Sequence, residues 1–182
     1  MGILKKDIAK ILLTREEIGE KVKDLANQIK GAYEGKNPLI LCILKGSLIF
    51  TADLVRELDF PCTIDFMQVS SYGAGAETTG ELRIKKDMDT DIRGRSVIIV
   101  EDILDSGITL SNLIPELESR GAESVAVCVL LNKPERRRVE VKPNFVGFDI
   151  ENEFAVGYGL DYNEKYRNLP YVGVLKREIY EK

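Results

Sequence analysis

Three unbroken apolar runs of strand length constrain this chain most: residues 39–44 (LILCIL), 97–100 (VIIV) and 124–131 (SVAVCVLL, apolar after its first serine). A run with no polar alternation suits a strand covered on both faces. Segments of helical period stand between and before these runs, so strands and helices alternate along the chain. That order argues for an α/β fold with a mostly parallel, twisted sheet flanked by helices. Thr14 followed by Glu17 has the capping-box pattern. Ile18, Val22, Leu25, Ala26 and Ile29 then recur at helical spacing, which predicts a helix ending between Gly31 and Gly35. Further helices are expected over 47–58 and from about 109 to 120, the second with Pro115 inside it and Gly121 closing it. Strands are expected over 63–69 and 96–101, a short paired strand over 82–86, and weaker ones over 144–150 and 171–175.

Several function classes drop out at once. The 182 residues fit one domain and include no histidine, which removes Ser-His-Asp and Cys-His catalysis and every His-ligated metal site. Acid–base work falls to carboxylates, lysine or tyrosine, and any metal would be a hard ion held by oxygen. The net charge of −4 disfavours nucleic acid as partner. No stretch approaches the ~18 apolar residues of a membrane span. The first 17 residues lack a cleavable signal pattern, because Asp7 and Lys10 interrupt the apolar part. Cys42, Cys62 and Cys128 show no CxxC spacing and read as free thiols of a cytoplasmic protein.

The apolar strand at 97–100 runs into Glu101-Asp102, and three residues later comes Asp105-Ser106-Gly107-Ile108-Thr109 at a helix start. In an open α/β sheet, ligands bind beyond the carboxyl ends of the strands. A turn offering free backbone N–H groups, two hydroxyls and the positive end of a helix dipole suits a phosphate dianion, and Gly107 lets the backbone approach it closely. No GxxxxGK[ST] loop is present, and Gly73 and Gly75 make no dinucleotide fingerprint.

The string over 97–110 resembles the 5-phosphoribosyl 1-diphosphate (PRPP) signature of the type I phosphoribosyltransferases: an apolar strand, two acidic residues, two apolar residues, then Asp-Ser/Thr-Gly-x-Thr. The resemblance implies that family's fold, with a small hood formed from terminal segments. It implies one domain over 1–182, with its core at about 36–150 and its hood from the N-terminal segment and about 151–182. It also implies that Glu101 and Asp102 engage the ribose hydroxyls and magnesium. Ile103 belongs to the same binding stretch, and Ser106, Gly107, Ile108 and Thr109 cradle the 5′-phosphate. Asp105 is then the proton acceptor beside the base. Some relatives carry lysine where Ile108 stands; a backbone contact tolerates the change.

Four further segments narrow the resemblance to the hypoxanthine-guanine branch. Lys45-Gly46 corresponds to the family's pyrophosphate turn, often with a cis peptide before the lysine. Ser71-Tyr72, in the small-residue loop 70–80, corresponds to a loop that closes over the site. Lys133 corresponds to the lysine donating to the purine O6, which adenine, with its own amino donor there, would not satisfy. Phe154 corresponds to the aromatic that stacks on the base, and Ala155 to a backbone contact at which valine is common. Asp161 matches an aspartate near the base and a second magnesium, and Arg167 an arginine on pyrophosphate.

The activity implied is purine salvage, transferring phosphoribose from PRPP to a 6-oxopurine base and giving IMP or GMP plus pyrophosphate. Mg2+ would be the cofactor, and a homodimer or homotetramer the assembly. A xanthine preference remains open at this point. So does a non-catalytic regulator binding RNA through Arg136-Arg137-Arg138, a run that otherwise reads as a solvated loop.

Overall fold

The computed structural model describes residues 3–71 and 82–181. In chain order the elements are β1 (Ile8–Leu13), α1 (Arg15–Tyr33), β2 (Leu39–Ile43), α2 (Leu48–Glu57), β3 (Thr63–Ser71), β4 (Leu82–Lys86), β5 (Ser96–Leu104), α3 (Ile108–Ser119), β6 (Ser124–Asn132), β7 (Phe145–Asp149), β8 (Ala155–Val156), β9 (Val172–Leu175) and α4 (Arg177–Tyr180), with single 3-10 turns at Ile3–Asp7 and Pro134–Arg136.

Among the described residues a six-stranded sheet runs in the order β4-β3-β2-β5-β6-β7. Its five strands from β3 to β7 are parallel, and β4 lies antiparallel on the β3 edge. The unbroken apolar runs become its central strands. Alternate residues serve opposite faces. Ile40, Ile98, Val100, Ala126 and Cys128 pack with α1 and α2 on one side. Leu39, Leu41, Val97, Ile99 and Val127 pack with Leu110, Leu113 and Leu117 of α3 on the other. Burial on both faces is why these strands show no polar alternation.

Helix α1 starts as its sequence requires. Thr14 and Glu17 complete a reciprocal capping box, and the five apolar residues at helical spacing are its buried face. Strand β5 continues to Leu104, three residues beyond the expected end, and so carries Glu101 and Asp102 within it. Helix α3 runs through Pro115, and Gly121 follows it at φ +89°.

A second, antiparallel sheet has the order β1-β9-β8. It joins the start of the chain to its end: Ile8 pairs with Leu175, and Ala155 with Val174. This is the small hood expected over the strand ends. Tyr166 donates to Asp7 at 2.8 Å inside it, and Tyr158 donates to Asp53 of α2 at 2.6 Å, tying it to the main sheet. Helix α1 packs on the main sheet, and its buried face shares one apolar cluster with Tyr158, Leu160 and Val172 of the hood. No described helix is long and apolar enough to cross a membrane.

Candidate active site

The order of the main sheet reverses direction between β2 and β5. The chain passes from β2 outward to β3, and from β5 outward to β6. Such a switch point opens a crevice beyond the carboxyl ends of the two strands. The turn 45–47 leaves β2 there, Asp105 to Gly107 leave β5, and Lys133 leaves β6. The parallel register therefore delivers three of the sequence-marked segments to one edge of the sheet.

A cleft of about 590 Å³ lies at this edge, under the hood. Asp102, Ile103, Asp105, Lys133, Phe154, Ala155 and Asp161 line it, seven residues singled out from sequence and drawn from positions 59 apart at the extremes. Arg136, Asn152, Leu160 and Tyr180 line it as well, and sequence reasoning had not marked them as site residues. Glu101, Lys45, Gly46, Arg167 and residues 106–109 stand next to these residues, outside the lining of the cleft itself.

The two acidic residues of β5 are the most perturbed groups of the site. Burial pushes the Glu101 carboxyl well above its ordinary 4.5, and the neighbouring Asp102 charge adds to the shift. Burial also pushes Asp102 up, to about 6, against its hydrogen bond from the Ile103 N–H and the field of Arg167. Two carboxyls held at a strand end with so little compensation are a site prepared for cations or hydroxyl donors.

The turn after β2 abuts this pair. The Leu44–Lys45 peptide is cis. A Cβ on Gly46 would fall 1.8 Å from Asp102 Oδ2, so any larger residue would push the carboxylate or the turn aside. Gly159, at φ +103°, seats against the Gly46 carbonyl in turn, where its own Cβ would come within 2.0 Å. Lys45 reaches Glu164 at 3.0 Å. Arg167 pairs with Asp161 at 2.9 Å and donates to the Gly159 carbonyl at 2.8 Å. Its buried Nε has no acceptor among the described residues. A buried guanidinium N–H left open in this way calls for an anionic oxygen from a ligand.

The loop after β5 has the form a phosphate needs. Gly107 is the N-cap of α3 at φ +82° and has no side chain to cap it, and Ser106 Oγ accepts from the Ile108 N–H at a long 3.4 Å. A Cβ there would meet the Val139 carbonyl at 2.4 Å. The segment behind the loop holds it in place: the Arg138 and Val139 amides both donate to the Ser106 carbonyl. Arg137 donates to the carbonyls of Asp105 and Val141 and to the Asn132 side chain. Arg136 lies 2.9 Å from Asp105 Oδ1 as an ion pair that lacks hydrogen-bond alignment. The reading of 136–138 as a merely solvated loop is therefore corrected. Arg136 faces the site and Arg137 is a structural clamp. Nothing in a run of three arginines indicates which one turns inward.

Lys133 is buried, and its Nζ donates to the Glu153 carbonyl at 2.6 Å, one residue before Phe154. Burial lowers its pKa, and the Asp105 charge opposes that effect. Phe154 keeps 37% of its surface exposed, unusual for a large apolar residue at the base of a hood. Ser71 ends β3, pairing with Leu82. Tyr72 and the rest of the loop 72–81 lie outside the described residues.

Among the described residues no three His, Cys, Asp or Glu side chains converge as a closed metal cage. The donor set is two or three carboxylates facing open space. That arrangement suits a hard cation which takes most of its oxygens from phosphate and water.

Residues 9–163 match the family model of the phosphoribosyl transferase domain. The chain is 52% identical over 180 residues to the hypoxanthine-guanine phosphoribosyltransferase of Streptococcus thermophilus (strain CNRZ 1066), covering 99% of this chain and 100% of that one. It is 48% identical over 179 residues to the enzyme of the same name from Bacillus subtilis (strain 168), covering 98% and 99%. Its structure is similar to the crystal structure of a hypoxanthine phosphoribosyltransferase from Staphylococcus aureus, with a TM-score of 0.96, 45% identity and coverage of 100% and 98%.

Proposed function

The chain belongs to the phosphoribosyl transferase family, and from that premise we propose that it is a purine-salvage enzyme. It transfers the 5-phosphoribosyl group of PRPP to hypoxanthine or guanine, giving IMP or GMP and pyrophosphate. The observation that carries this reading is one cleft lined at once by Asp105, Lys133 and Phe154 beyond the β2/β5 switch point. A phosphate seat alone accepts many ligands; these three groups beside it fit a 6-oxopurine.

The division of labour follows from charge and reach. The α3 N-terminus, with Ser106, Gly107, Ile108 and Thr109, holds the 5′-phosphate. Glu101 and Asp102 hold the ribose hydroxyls, and Ile103 flanks the base. Lys45, Gly46 and Arg167 receive the pyrophosphate. Lys133 donates to the purine O6, Phe154 stacks on the ring, and the Ala155 backbone meets the base edge. The purine nitrogen attacks the ribose C1 as pyrophosphate leaves, and Asp105 takes the proton the purine gives up. The protein forms no covalent bond in this scheme. Its contribution is to hold two reactants in line and to stabilise the separating charge. Ser71 and Tyr72 belong to the segment that shields the reacting centre from water.

The residues present fit Mg2+ as cofactor, with Asp102 and Asp161 on the cleft and Glu101 beside them. Bound there, the ion would offset the charge of the departing pyrophosphate. We further infer a single domain over 1–182, with a core at about 36–150 on which α1 also packs, a hood from the N-terminal segment before α1 and about 151–182, a cytoplasmic setting and a homodimer or homotetramer. Neither the xanthine-preferring nor the RNA-binding alternative finds support. Arg136 and Arg137 are engaged within the fold, and the base-facing residues are present.

The test is an absorbance assay with PRPP and Mg2+ against hypoxanthine, guanine, xanthine and adenine in turn. Nucleotide is expected from hypoxanthine and guanine, and not from adenine. Absence of nucleotide with every base refutes the reading.

A further inference from the structure

Phe154 is an unusual choice for a precise stacking surface. It stands just outside β8 and keeps 37% of its surface exposed. A half-exposed aromatic ring with one packed side samples several rotamers, and each departure removes the plane on which a base must lie. Something has to hold it.

Its backbone is held by β9, where the Leu175 amide donates to the Phe154 carbonyl at 2.9 Å. Its ring is held by two tyrosines. Tyr162 meets it edge-on, with centroids 5.6 Å apart and planes at 87°. Tyr180, from the short helix α4, lies flat on it, with centroids 4.6 Å apart and planes at 22°. Tyr180 is itself part-buried against the hood cluster of Val156, Tyr166, Leu169 and Leu175. Helix α4 is fixed to the opposite end of the chain, because the Lys176 amide donates to the Asp7 carbonyl at 2.9 Å.

We propose that Tyr180 is a positioning residue for the purine base: it backs one face of Phe154, so that a base stacks on the other face as the third ring of a stack. This rests on the reading of Phe154 as the base-stacking residue. Tyr180 acts through Phe154 and does not touch the reacting atoms. Its contribution is to the binding of the base and not to that of PRPP, whose expected seats lie at β2, β5 and α3.

The test is a steady-state comparison of wild type with Tyr180→Ala, Tyr180→Leu and Tyr180→Phe, reading KM for hypoxanthine, KM for PRPP and kcat separately. Loss of a stacked aromatic neighbour is expected to raise KM for hypoxanthine about three- to tenfold in Tyr180→Ala, with KM for PRPP unchanged within about twofold. Tyr180→Phe keeps the ring and is expected to match wild type. Tyr180→Leu keeps apolar bulk against the hood without a ring. It is expected to raise the base KM as well, and it carries the test if the alanine variant melts early. An unchanged base KM in both Ala and Leu variants overturns the proposal. So does a lowered one, which would mean that Tyr180 occupies the face the base needs. Equal rises in the two KM values point to general loosening of the hood and also overturn it. A wild type inactive with every base is a different result, and removes the transferase reading itself.

Discussion

Replacing Asp102 with Asn should stabilise the ligand-free protein more at pH 8 than at pH 5, while removing most of its activity. Burial raises the folded-state pKa of Asp102 from 3.8 to about 6. A carboxyl raised on folding binds its proton more tightly in the folded state. Its contribution is therefore fully present below the unfolded value and is lost as pH rises through the folded one. The full shift corresponds to about 3 kcal/mol at most, and partial contact of the strand end with solvent reduces it. About 1 kcal/mol of the loss falls between pH 5 and pH 8. For a chain of this length that is roughly 2–4 °C in Tm. Asn keeps an oxygen for the Ile103 amide, 2.9 Å away in the wild type, and never ionises. The assay is thermal melting of wild type and Asp102→Asn at both pH values without PRPP or divalent cations. The variant's Tm should gain on the wild type by about 2–4 °C between pH 5 and pH 8. Groups away from Asp102 cancel in that difference; Glu101 does not, because the Asp102 charge raises it, and relieving it in the variant acts in the same direction. A Tm difference that is the same at both pH values would falsify the argument, because burial of a charge would then not be the cost. Glu101→Gln should shift in the same direction, since burial raises that carboxyl too.

Three further outcomes are expected. Asp105→Asn should lower turnover about 10²–10⁴-fold with modest loss of PRPP binding; unaltered single-turnover rates in that variant remove Asp105 from the chemistry. Gly46→Ala places a Cβ 1.8 Å from Asp102 Oδ2, and the forced shift of turn or carboxylate should cost roughly 10²-fold in kcat/KM for PRPP, read by initial rates at low PRPP. Tyr158→Phe leaves Asp53 without the 2.6 Å hydrogen bond that ties the C-terminal segment to α2, so urea denaturation should show a loss of about 1–2 kcal/mol, whereas an unchanged midpoint would mean that the hood is held by packing alone.

Local chemistry decided what was legible in the sequence. The capping box at Thr14 and Glu17 and the five apolar residues after it define α1 without reference to any partner. The central strands were legible because burial on both faces leaves a continuous apolar run. Strands β1 and β8 were not. Residues 8–13 have Lys10 in their middle and only Leu13 buried, so they show no strand period. They become a strand because β9, more than 150 residues later, supplies the hydrogen-bonding edge. Strand β8 has two residues, too few for any pattern. The end of β5 was placed too early for a related reason. Glu101 and Asp102 look like a stop signal, yet the parallel ladder to β6 continues past them to Leu104 and Asn132. The site divides along the same line. The loop 101–109 carries its own signature, but Arg136 and Tyr180 matter only because folding sets them against Asp105 and Phe154.

A chain of net charge −4 that binds a triply phosphorylated ligand raises an electrostatic question, and the ion pairs of the site answer it. The cations facing the expected ligand are already engaged. Lys45 is paired with Glu164, and Arg167 with Asp161 and Glu164. The Lys45–Glu164 pair is more than half exposed on both sides, and such pairs contribute about 1 kcal/mol or less. A phosphate oxygen, with more charge and better acceptor geometry, would replace Glu164 at little cost. Arg167 keeps its buried Nε free of any acceptor among the described residues. It would therefore donate to a new oxygen without surrendering its pair to Asp161. Binding would then be an exchange of partners within a site already close to neutral, and the acidic surface elsewhere would have little to oppose. The carboxylates that remain, Glu101 and Asp102, are the ones burial has pushed toward their protonated forms. At pH 8 Asp102, raised to about 6, is nonetheless ionised, and the cost of its buried charge is what a bound cation would relieve.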